Sequence, residues 1–466
     1  MKKIQSLALI SIGALITSCS AADMVPTAEA KSKTVNHFAE NGFGNAVAIV
    51  QHPAGIHRDG ITYVSYQGAL EDPYIAAYNH ATKEWTGPFK AGVSAMGKDP
   101  KRKKKIDNHG KPSMIIDNEG YIHLFFGGHG GVPEIHGDNP LGNHHYGENK
   151  HVVSKKPYDV SEWEELKTIP PFGTYNQVIK MENGDIYLFY RHGAHRSDWV
   201  YHVSTDNGRS FGDPVSFLKH KRRDDVKGVD SWYPWVGRGQ GDEIIVSFDY
   251  HLCWDGNARE RGHTANREDL YYMTFNTKTK EWHNVEDERL PMPLTREVAD
   301  AKAKVTDTGE LWTFNGAAAL DPEGNPHILM NAGKDVGQIT GGPKQVKYIR
   351  WNGEAWTGGN TVSPVGARAD LEVKSLTDVS LYMSYKDKNG EAVLIRRDST
   401  DAGANFDNNK QLFRHGKGSF AISALIENAH PDAKMIITPR TSGTALKNMY
   451  LIGDNGPVQR KASDMK

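Results

Sequence analysis

Short runs of alternating apolar and polar residues recur along the chain, each bounded by a turn that contains Gly with Asp or Asn. Examples are IDNEGYIHLFF at 116–126, MENGDIYLFY at 181–190, TDTGELWTFN at 306–315 and LDPEGNPHILMN at 320–331. Tight turns between runs rich in β-branched and aromatic residues are hairpin signals. No long stretch has the period of an amphipathic helix. The pattern therefore predicts an all-β chain.

A second element follows some of these runs. Two segments, 204–211 and 399–406, fit the Asp-box pattern S-x-D-x-G-x-x-[FW], and looser relatives that end in Trp stand at 78–85, 275–282 and 351–356. In such a turn the Asp side chain hydrogen-bonds the local backbone and Gly supplies the positive φ. The terminal aromatic is expected to pack between sheets. The motif is structural and resembles the repeats of sialidase-like β-propellers.

The spacing of these units, about 40–60 residues, fits one four-stranded blade each. It predicts a seven-bladed β-propeller, with six blades as the alternative, in one domain that covers 37–460. The predicted blades lie near 45–90, 110–165, 174–215, 232–284, 305–357, 370–407 and 418–452.

The N-terminus predicts export. A basic start, Met1-Lys2-Lys3, precedes an apolar run at 4–16 that is too short to span a bilayer as a permanent helix. Ile16-Thr17-Ser18-Cys19 resembles a bacterial lipoprotein signal box, so residues 1–22 are predicted to be a lipoprotein-type signal peptide with Cys19 lipidated. The alternative is a plain secretory signal cut near Ala21.

The signal defines the expected location of the protein. Ser20 follows the cysteine, where Asp would favour inner-membrane retention, so an outer-membrane lipoprotein or a secreted protein is expected. Residues 23–36 are predicted to form a flexible tether. The lipid anchor would be the only membrane contact.

Composition narrows the class of partner. The chain is 24% charged and 38% hydrophobic with a formal net charge of −1, which is typical of a soluble globular domain and gives no argument for nucleic acid. The basic runs 101–105 and 219–223 are either solvated loops or surfaces that steer an anionic polymer. A monomer is expected. Beyond residue 19 the one cysteine is Cys253, so no intrachain disulfide is available.

Polar and aromatic residues at strand ends are the candidates for a site, because loops of several blades converge on one face of a propeller. Within the stretch 108–130, His109 stands before the turn at 118–120 and His129 after the strand at 121–126. Tyr175 precedes the strand at 178–181. Seven of the 21 histidines fall between residues 109 and 151.

Two further candidates follow in the chain. Arg191 ends an apolar strand, where a guanidinium is costly unless it faces a polar cavity or has a carboxylate partner. Tyr233 lies in Asp230-Ser231-Trp232-Tyr233-Pro234-Trp235, whose aromatics suit either stacking on a sugar or packing in the core.

The order and spacing of these five residues, from His109 to Tyr233, resemble the ulvan lyases that are built on a seven-bladed propeller, a group of bacterial polysaccharide lyases. The resemblance runs from about residue 40 to 450. It implies an anionic sulfated polysaccharide, ulvan, as substrate. It also implies cleavage by β-elimination at the uronic acid, which leaves unsaturated uronyl ends.

This chemistry assigns a role to each candidate. The C5 proton of a uronate is weakly acidic, so a cation must neutralise the carboxylate while a base removes the proton and an acid protonates the leaving oxygen. Arg191 is the expected neutraliser because its fork matches a carboxylate. His109 is the expected base and Tyr175 the acid, although Tyr175 could do both on a syn substrate. His129 and Tyr233 would position the uronate or assist neutralisation.

A metal site is predicted near the lone cysteine. His251 and Cys253 face the same side of one strand, and His263 follows ten residues later, so a structural zinc held by these three side chains is expected. The fourth ligand is left open between His195 and Asp249. The alternative is a buried free thiol near solvated histidines. The resemblance also implies a structural zinc.

Two other functions compete with the lyase. A sialidase-like glycoside hydrolase needs a carboxylate acid with a carboxylate or tyrosine nucleophile, and only Arg191 of the three arginines expected in a sialidase is convincingly placed. The other alternative is a non-catalytic surface propeller that only binds glycans.

Overall fold

The computed structural model describes residues 33–96, 107, 109–254, 267–334, 344–441 and 445–465. The predicted signal peptide, residues 1–22, and the predicted tether up to residue 32 lie outside the described residues. At the end of the predicted tether, Thr34–Val35 pairs antiparallel with Arg460–Lys461. Within the described ranges, no helix is both long enough and apolar enough to cross a membrane.

Seven antiparallel sheets form the blades of a β-propeller, as the sequence predicts, so the six-bladed alternative is wrong. We number the blades along the chain. Their strands are Gly55–Arg58, Ile61–Gln67, Pro73–Asn79 and Glu84–Lys90 in blade 1; Ser113–Ile116, Ile122–His129, Tyr146–Ser154 and Trp163–Leu166 in blade 2; Thr174–Lys180, Ile186–Arg191, Trp199–Ser204 and Val215–Leu218 in blade 3; Lys221–Arg222, Gly228–Arg238, Glu243–Trp254, Arg267–Asn276, Trp282–His283 and Lys304–Thr306 in blade 4; Leu311–Leu320, Pro326–Lys334, Gln345–Trp351 and Trp356–Ser363 in blade 5; Arg368–Val373, Val379–Lys386, Glu391–Ser399 and Asn408–Lys417 in blade 6; and Phe420–Ile422, Met435–Pro439, Lys447–Gly453, Gly456–Pro457 and Ala39–Gly42 in blade 7.

Helices are short. In the part of the chain that the structure describes, the α-helices are Pro133–His136 and Arg296–Lys302, and the 3-10 turns include Ala69–Glu71 and Ala462–Asp464.

The ring is closed by the N-terminal strand Ala39–Gly42, which pairs with Lys447–Gly453 as the outermost main strand of blade 7. The sequence-based blade ranges omit this strand, because AENG has none of the apolar alternation that marks the other strands. Two backbone hydrogen bonds between blades 7 and 1 complete the closure: the Glu427 N–H donates to the Gly55 carbonyl, and the His57 N–H donates to the Glu427 carbonyl.

Both Asp-boxes connect the third and fourth strands of their blades, and both behave as the motif predicts. Asp206 Oδ1 accepts hydrogen bonds from the Ser204 hydroxyl at 2.7 Å and the Ser210 backbone at 2.9 Å. The motif's Phe211 packs edge-on against Phe125 of blade 2, with ring centres 5.7 Å apart. This aromatic contact therefore packs blade 3 against blade 2.

The strand order determines where the site lies. The first main strand of each blade begins, and the second ends, on the same face of the propeller, since the two are antiparallel neighbours. Residues before first strands, such as His109, and residues that end second strands, such as His129 and Arg191, therefore meet on one face.

Candidate active site

A cavity of about 600 Å³ opens on this face at the centre of the propeller. Four of the five candidate residues, namely His109, His129, Tyr175 and Tyr233, line it, and Arg191 lies directly behind the two tyrosines. The structure therefore brings together residues from blades 2, 3 and 4 that are as much as 124 positions apart (233 − 109) in the sequence.

The two histidines stack on each other, with ring centres 3.8 Å apart. Burial lowers the pKa of His109 to about 3; the neighbouring His129 adds to this, and Asp107 opposes it. His109 is therefore neutral at neutral pH, as a base must be before it takes a proton. The Asp107 carboxylate contacts both rings. The prediction from sequence missed Asp107, although its place two residues before His109 was a usable signal.

Tyr175 stands in strained backbone at the entry to blade 3. Its φ is +64°, where the pairing of Thr174 and Gln177 with the next strand shifts register. Its ring centre lies 5.0 Å from that of His109 and 5.7 Å from that of Tyr233. Burial raises the pKa of Tyr175 well above its usual value, so the phenol is protonated at neutral pH. Such strain is characteristic of functional positions.

Arg191 is fully buried, with 0% exposure. Its Nη1 donates to the Tyr233 hydroxyl at 3.3 Å, and its Cζ lies 5.1 Å from the ring centre of Tyr175. Among the described residues it has no ion pair, and its Nε and Nη2 have no hydrogen-bond partner. A guanidinium in this condition is costly. The sequence allowed a carboxylate partner or a polar cavity that the guanidinium faces; among the described residues it has no carboxylate partner, and it lies behind the cavity-lining Tyr175 and Tyr233 instead of lining the cavity itself.

A second guanidinium, missed by the sequence analysis, lies on the cavity wall. The Cζ atom of Arg267 lies 3.5 Å from the ring centre of Tyr233 and 4.2 Å from the ring centre of Phe314. It follows directly on residues that the structure does not describe, and no strand pattern singles it out. Lys111, Arg368 and Arg440 also line the cavity, whereas Asp107 is the only carboxylate among its described lining residues.

The aromatic run around Tyr233 divides between core and cavity. Trp232 is fully buried in the blade core, while its neighbours Tyr233 and Trp235 line the cavity. Alternation along a strand explains this division. Core packing is thus confirmed for Trp232, and stacking on a sugar stays a prediction for Tyr233 and Trp235.

Of the described residues of the predicted metal site, His195 lines this cavity and His251 lies next to it. The rings of His195 and His251 have centres 6.3 Å apart, and Cys253 is buried on the same strand as His251. His263 lies outside the described residues. Asp249 Oδ2 accepts hydrogen bonds from Thr313 at 3.3 Å and the Asn315 backbone at 3.1 Å, which ties it to blade 5. An imidazole and thiolate donor set suits zinc.

Comparison with known proteins gives the family. Residues 61–362 match the model of the BNR repeat-containing family. A protein named Ulvan Lyase-PL25 from Pseudoalteromonas sp. (strain PLSV) is 57% identical over 463 residues, covering 98% of this chain and 94% of that protein. The chain belongs to the PL25 ulvan lyases.

Other ulvan lyases agree with this assignment. The ulvan lyase of Nonlabens ulvanivorans is 54% identical, over 99% of this chain and 98% of that one. A solved PL25 ulvan lyase structure superposes with a TM-score of 0.89 at 57% identity, covering 93% of this chain and 99% of that chain. A second structure, with the same TM-score, is described as bound to -[GlcA(1-4)Rha3S]-.

Proposed function

We propose that this protein is a polysaccharide lyase that cleaves ulvan by β-elimination at the uronic acid and leaves unsaturated uronyl ends. The observation that carries the proposal is the guanidinium of Arg191, which has no ion pair in the described structure and lies behind Tyr175 and Tyr233. Family membership supports the same reaction.

The proposed reaction uses His109 and Tyr175 in the protonation state that burial favours for each. Arg191, with Arg267 across the ring of Tyr233, stabilises the uronate carboxylate and the negative charge that develops there. Neutral His109 takes the C5 proton. The electron pair left at C5 forms the C4–C5 double bond and expels the 4-linked oxygen. Protonated Tyr175 donates its proton to that oxygen. His129 and Tyr233 position the uronate.

The substrate class is supported by the charge of the cavity. Arg267, Arg368 and Arg440 line it, together with Lys111, whose pKa burial lowers to about 7, beside a single described carboxylate, Asp107. The solved relative described with -[GlcA(1-4)Rha3S]- bound has a sulfated sugar beside a uronate. We propose that these cations bind the carboxylate and sulfate groups of the polymer.

A glycoside hydrolase is less well supported. The common mechanism needs two carboxylates that flank the scissile bond. Among the described cavity residues Asp107 is the only carboxylate, and it is hydrogen-bonded to two histidines.

The experiment is incubation of ulvan with the protein lacking residues 1–22, followed by ultraviolet absorbance and by calorimetric binding. Rising absorbance from unsaturated ends is expected. Reducing ends without absorbance would indicate a hydrolase, and binding without either signal would indicate a glycan-binding propeller.

We also propose that His195, His251, Cys253 and His263 hold a structural zinc. The zinc would link residues of blades 3 and 4 through side chains that no disulfide can connect. We expect the purified protein to contain about one zinc, and the Cys253→Ser variant to lose zinc and melt at a lower temperature. Full zinc content in that variant would contradict the site.

Export and lipidation at Cys19 complete the proposal, with a monomeric propeller as the mature protein. Expression with Cys19→Ser tests the anchor. The unchanged protein is expected in the membrane fraction and the variant in the soluble fraction. The same distribution for both would indicate a cleaved secretory signal.

A further inference from the structure

One carboxylate binds both stacked histidines. Asp107 Oδ1 lies 2.5 Å from Nδ1 of His109, and Oδ2 lies 3.0 Å from Nδ1 of His129. An ionised carboxylate only accepts hydrogen bonds, so both Nδ1 atoms carry a proton. In neutral His109 the lone pair is then on Nε2, and this atom makes no hydrogen bond with any residue that the structure describes.

We propose that Asp107 is a positioning residue that fixes His109 in the tautomer whose Nε2 can accept the C5 proton, and that holds His129 in register beside it. This inference rests on the elimination proposed above. During the reaction His109 becomes an imidazolium, and the adjacent carboxylate stabilises that charge. An Asp beside a catalytic His acts in this way in serine proteases.

Asp107 is itself held from blade 1. Its backbone N–H donates to Glu71 Oε1 at 3.0 Å, and its carbonyl accepts from Gln67 Nε2 at 3.3 Å. The same Gln67 nitrogen donates to Glu71 Oε2 at 3.3 Å. Glu71 and Gln67 are both buried. Hydrogen bonds from these two buried side chains therefore hold the Asp107 backbone in the position that places its carboxylate against the histidines.

The backbone at the base of this network is strained. Leu70 and Glu71 have φ of +57° and +62°, in the left-handed region that residues with a Cβ rarely occupy. Two such residues in succession persist only where the surrounding structure holds them, and such strain is concentrated at functional sites. The turn directs Glu71 towards Asp107.

The most informative variant is Asp107→Asn. The amide oxygen can replace Oδ1, which accepts from both the backbone and Nδ1 of His109. The loop turn is then preserved, while an N–H replaces the acceptor that faces His129 and the negative charge is lost. We expect kcat on ulvan to fall on the order of a hundredfold or more, with KM changed less than threefold and an unchanged melting temperature.

A second variant tests the role of the carboxylate itself. Asp107→Ala should be nearly inactive, and added formate should restore part of kcat by occupying the vacated position. Formate should not affect the unchanged enzyme. The exposed Asp59→Asn serves as the control and should behave as the parent.

The outcomes separate this inference from the proposed function. An inactive parent would refute the elimination itself. An active parent with a fully active Asp107→Asn variant, or with a loss that appears only in KM, would overturn the positioning role. Asp107, His109 and His129 are also close enough to hold a metal ion. Loss of one metal equivalent in Asp107→Asn would therefore overturn the proposal too.

Discussion

His109 and Tyr175 lie side by side on the cavity wall, with ring centres 5.0 Å apart and ring planes tilted by 58° to each other. Burial shifts the two pKa values in opposite directions, because it disfavours the charged form of each group, the imidazolium of His109 and the phenolate of Tyr175. It lowers the pKa of His109 to about 3 and raises the pKa of Tyr175 well above its usual value. At neutral pH His109 is therefore unprotonated and Tyr175 protonated, which are the starting states that the proposed base and acid require.

Tyr175→Phe tests the donor. The ring stays in place while the proton is lost, so we expect kcat for ulvan cleavage to fall roughly 10²–10⁴-fold. KM should change little, because the packing of the ring is kept. Steady-state absorbance kinetics measure both constants. The half-exposed Tyr158→Phe is the control and should retain full activity. A Tyr175→Phe variant with near-normal kcat would exclude the phenol from proton transfer.

Arg191→Met tests the cost of the buried charge. The guanidinium has no ion pair among the described residues. A similarly sized apolar side chain should therefore leave the free energy of unfolding unchanged or raise it by about 1–2 kcal/mol. Activity should be lost, because the uronate is no longer neutralised. Urea unfolding and ulvan kinetics give the two readings.

The control for that experiment is Arg209→Met, which removes a guanidinium that lies above Tyr121 at 4.7 Å, outside the cavity lining. It should not affect kcat. A marked loss of stability in Arg191→Met, together with retained activity, would show that Arg191 has a structural role.

The cavity cations predict a salt-dependent KM. Salt screens attraction between the polymer and the basic residues, so KM for ulvan should rise with ionic strength while kcat changes less. Arg440→Gln should raise KM several-fold and weaken its dependence on salt. The exposed Lys278→Gln, paired with Asp242 on the outside of blade 4, should keep the parent's salt response. Equal salt responses in all three proteins would argue against a role for Arg440.

Buried histidines predict a loss of stability in acid. Burial lowers the pKa of both His192 and His327 to about 4. In the unfolded chain each imidazole takes up a proton near pH 6.5, whereas in the folded protein it does so only near pH 4. The stability that the two neutral histidines give the folded state is therefore complete above about pH 6.5 and is lost as the pH falls from about 6.5 to 4. Each should cost roughly 2 kcal/mol of unfolding free energy by pH 5.

The effect is measured as the free energy of unfolding in urea between pH 7.5 and 5, a range that starts above the pH at which the loss is expected to begin. His327→Gln should lose less stability over the range than the parent does, whatever its stability at neutral pH. Exposed His415→Gln should follow the parent. A parallel profile for His327→Gln would show that His327 takes no part in the transition.

The fold could be predicted because its signals are local. Turn residues, period-2 runs and the Asp-boxes at 204–211 and 399–406 each act within about ten residues, and they fix the number of blades. The strand Ala39–Gly42 could not be predicted in this way. Its partner, Lys447–Gly453, lies some 400 residues away, and only ring closure brings them together.

The site divides in the same way. His109, His129 and Arg191 could be selected because strand ends on one face must converge. Asp107 and Arg267 were missed because their importance lies in tertiary contacts, of Asp107 with His129 and of Arg267 with Tyr233 and with Phe314 of blade 5. The burial of Arg191 behind the tyrosines also depends on the packing of blade 3 against blade 4.

The most direct test of the central claim is digestion of ulvan in water labelled with ¹⁸O, followed by mass spectrometry of the products. Elimination adds no water across the broken bond. We therefore predict fragments with an unsaturated uronyl end and no ¹⁸O incorporated by cleavage. Saturated fragments that carry one ¹⁸O at the new reducing end would show hydrolysis and contradict the roles proposed for His109, Tyr175 and Arg191.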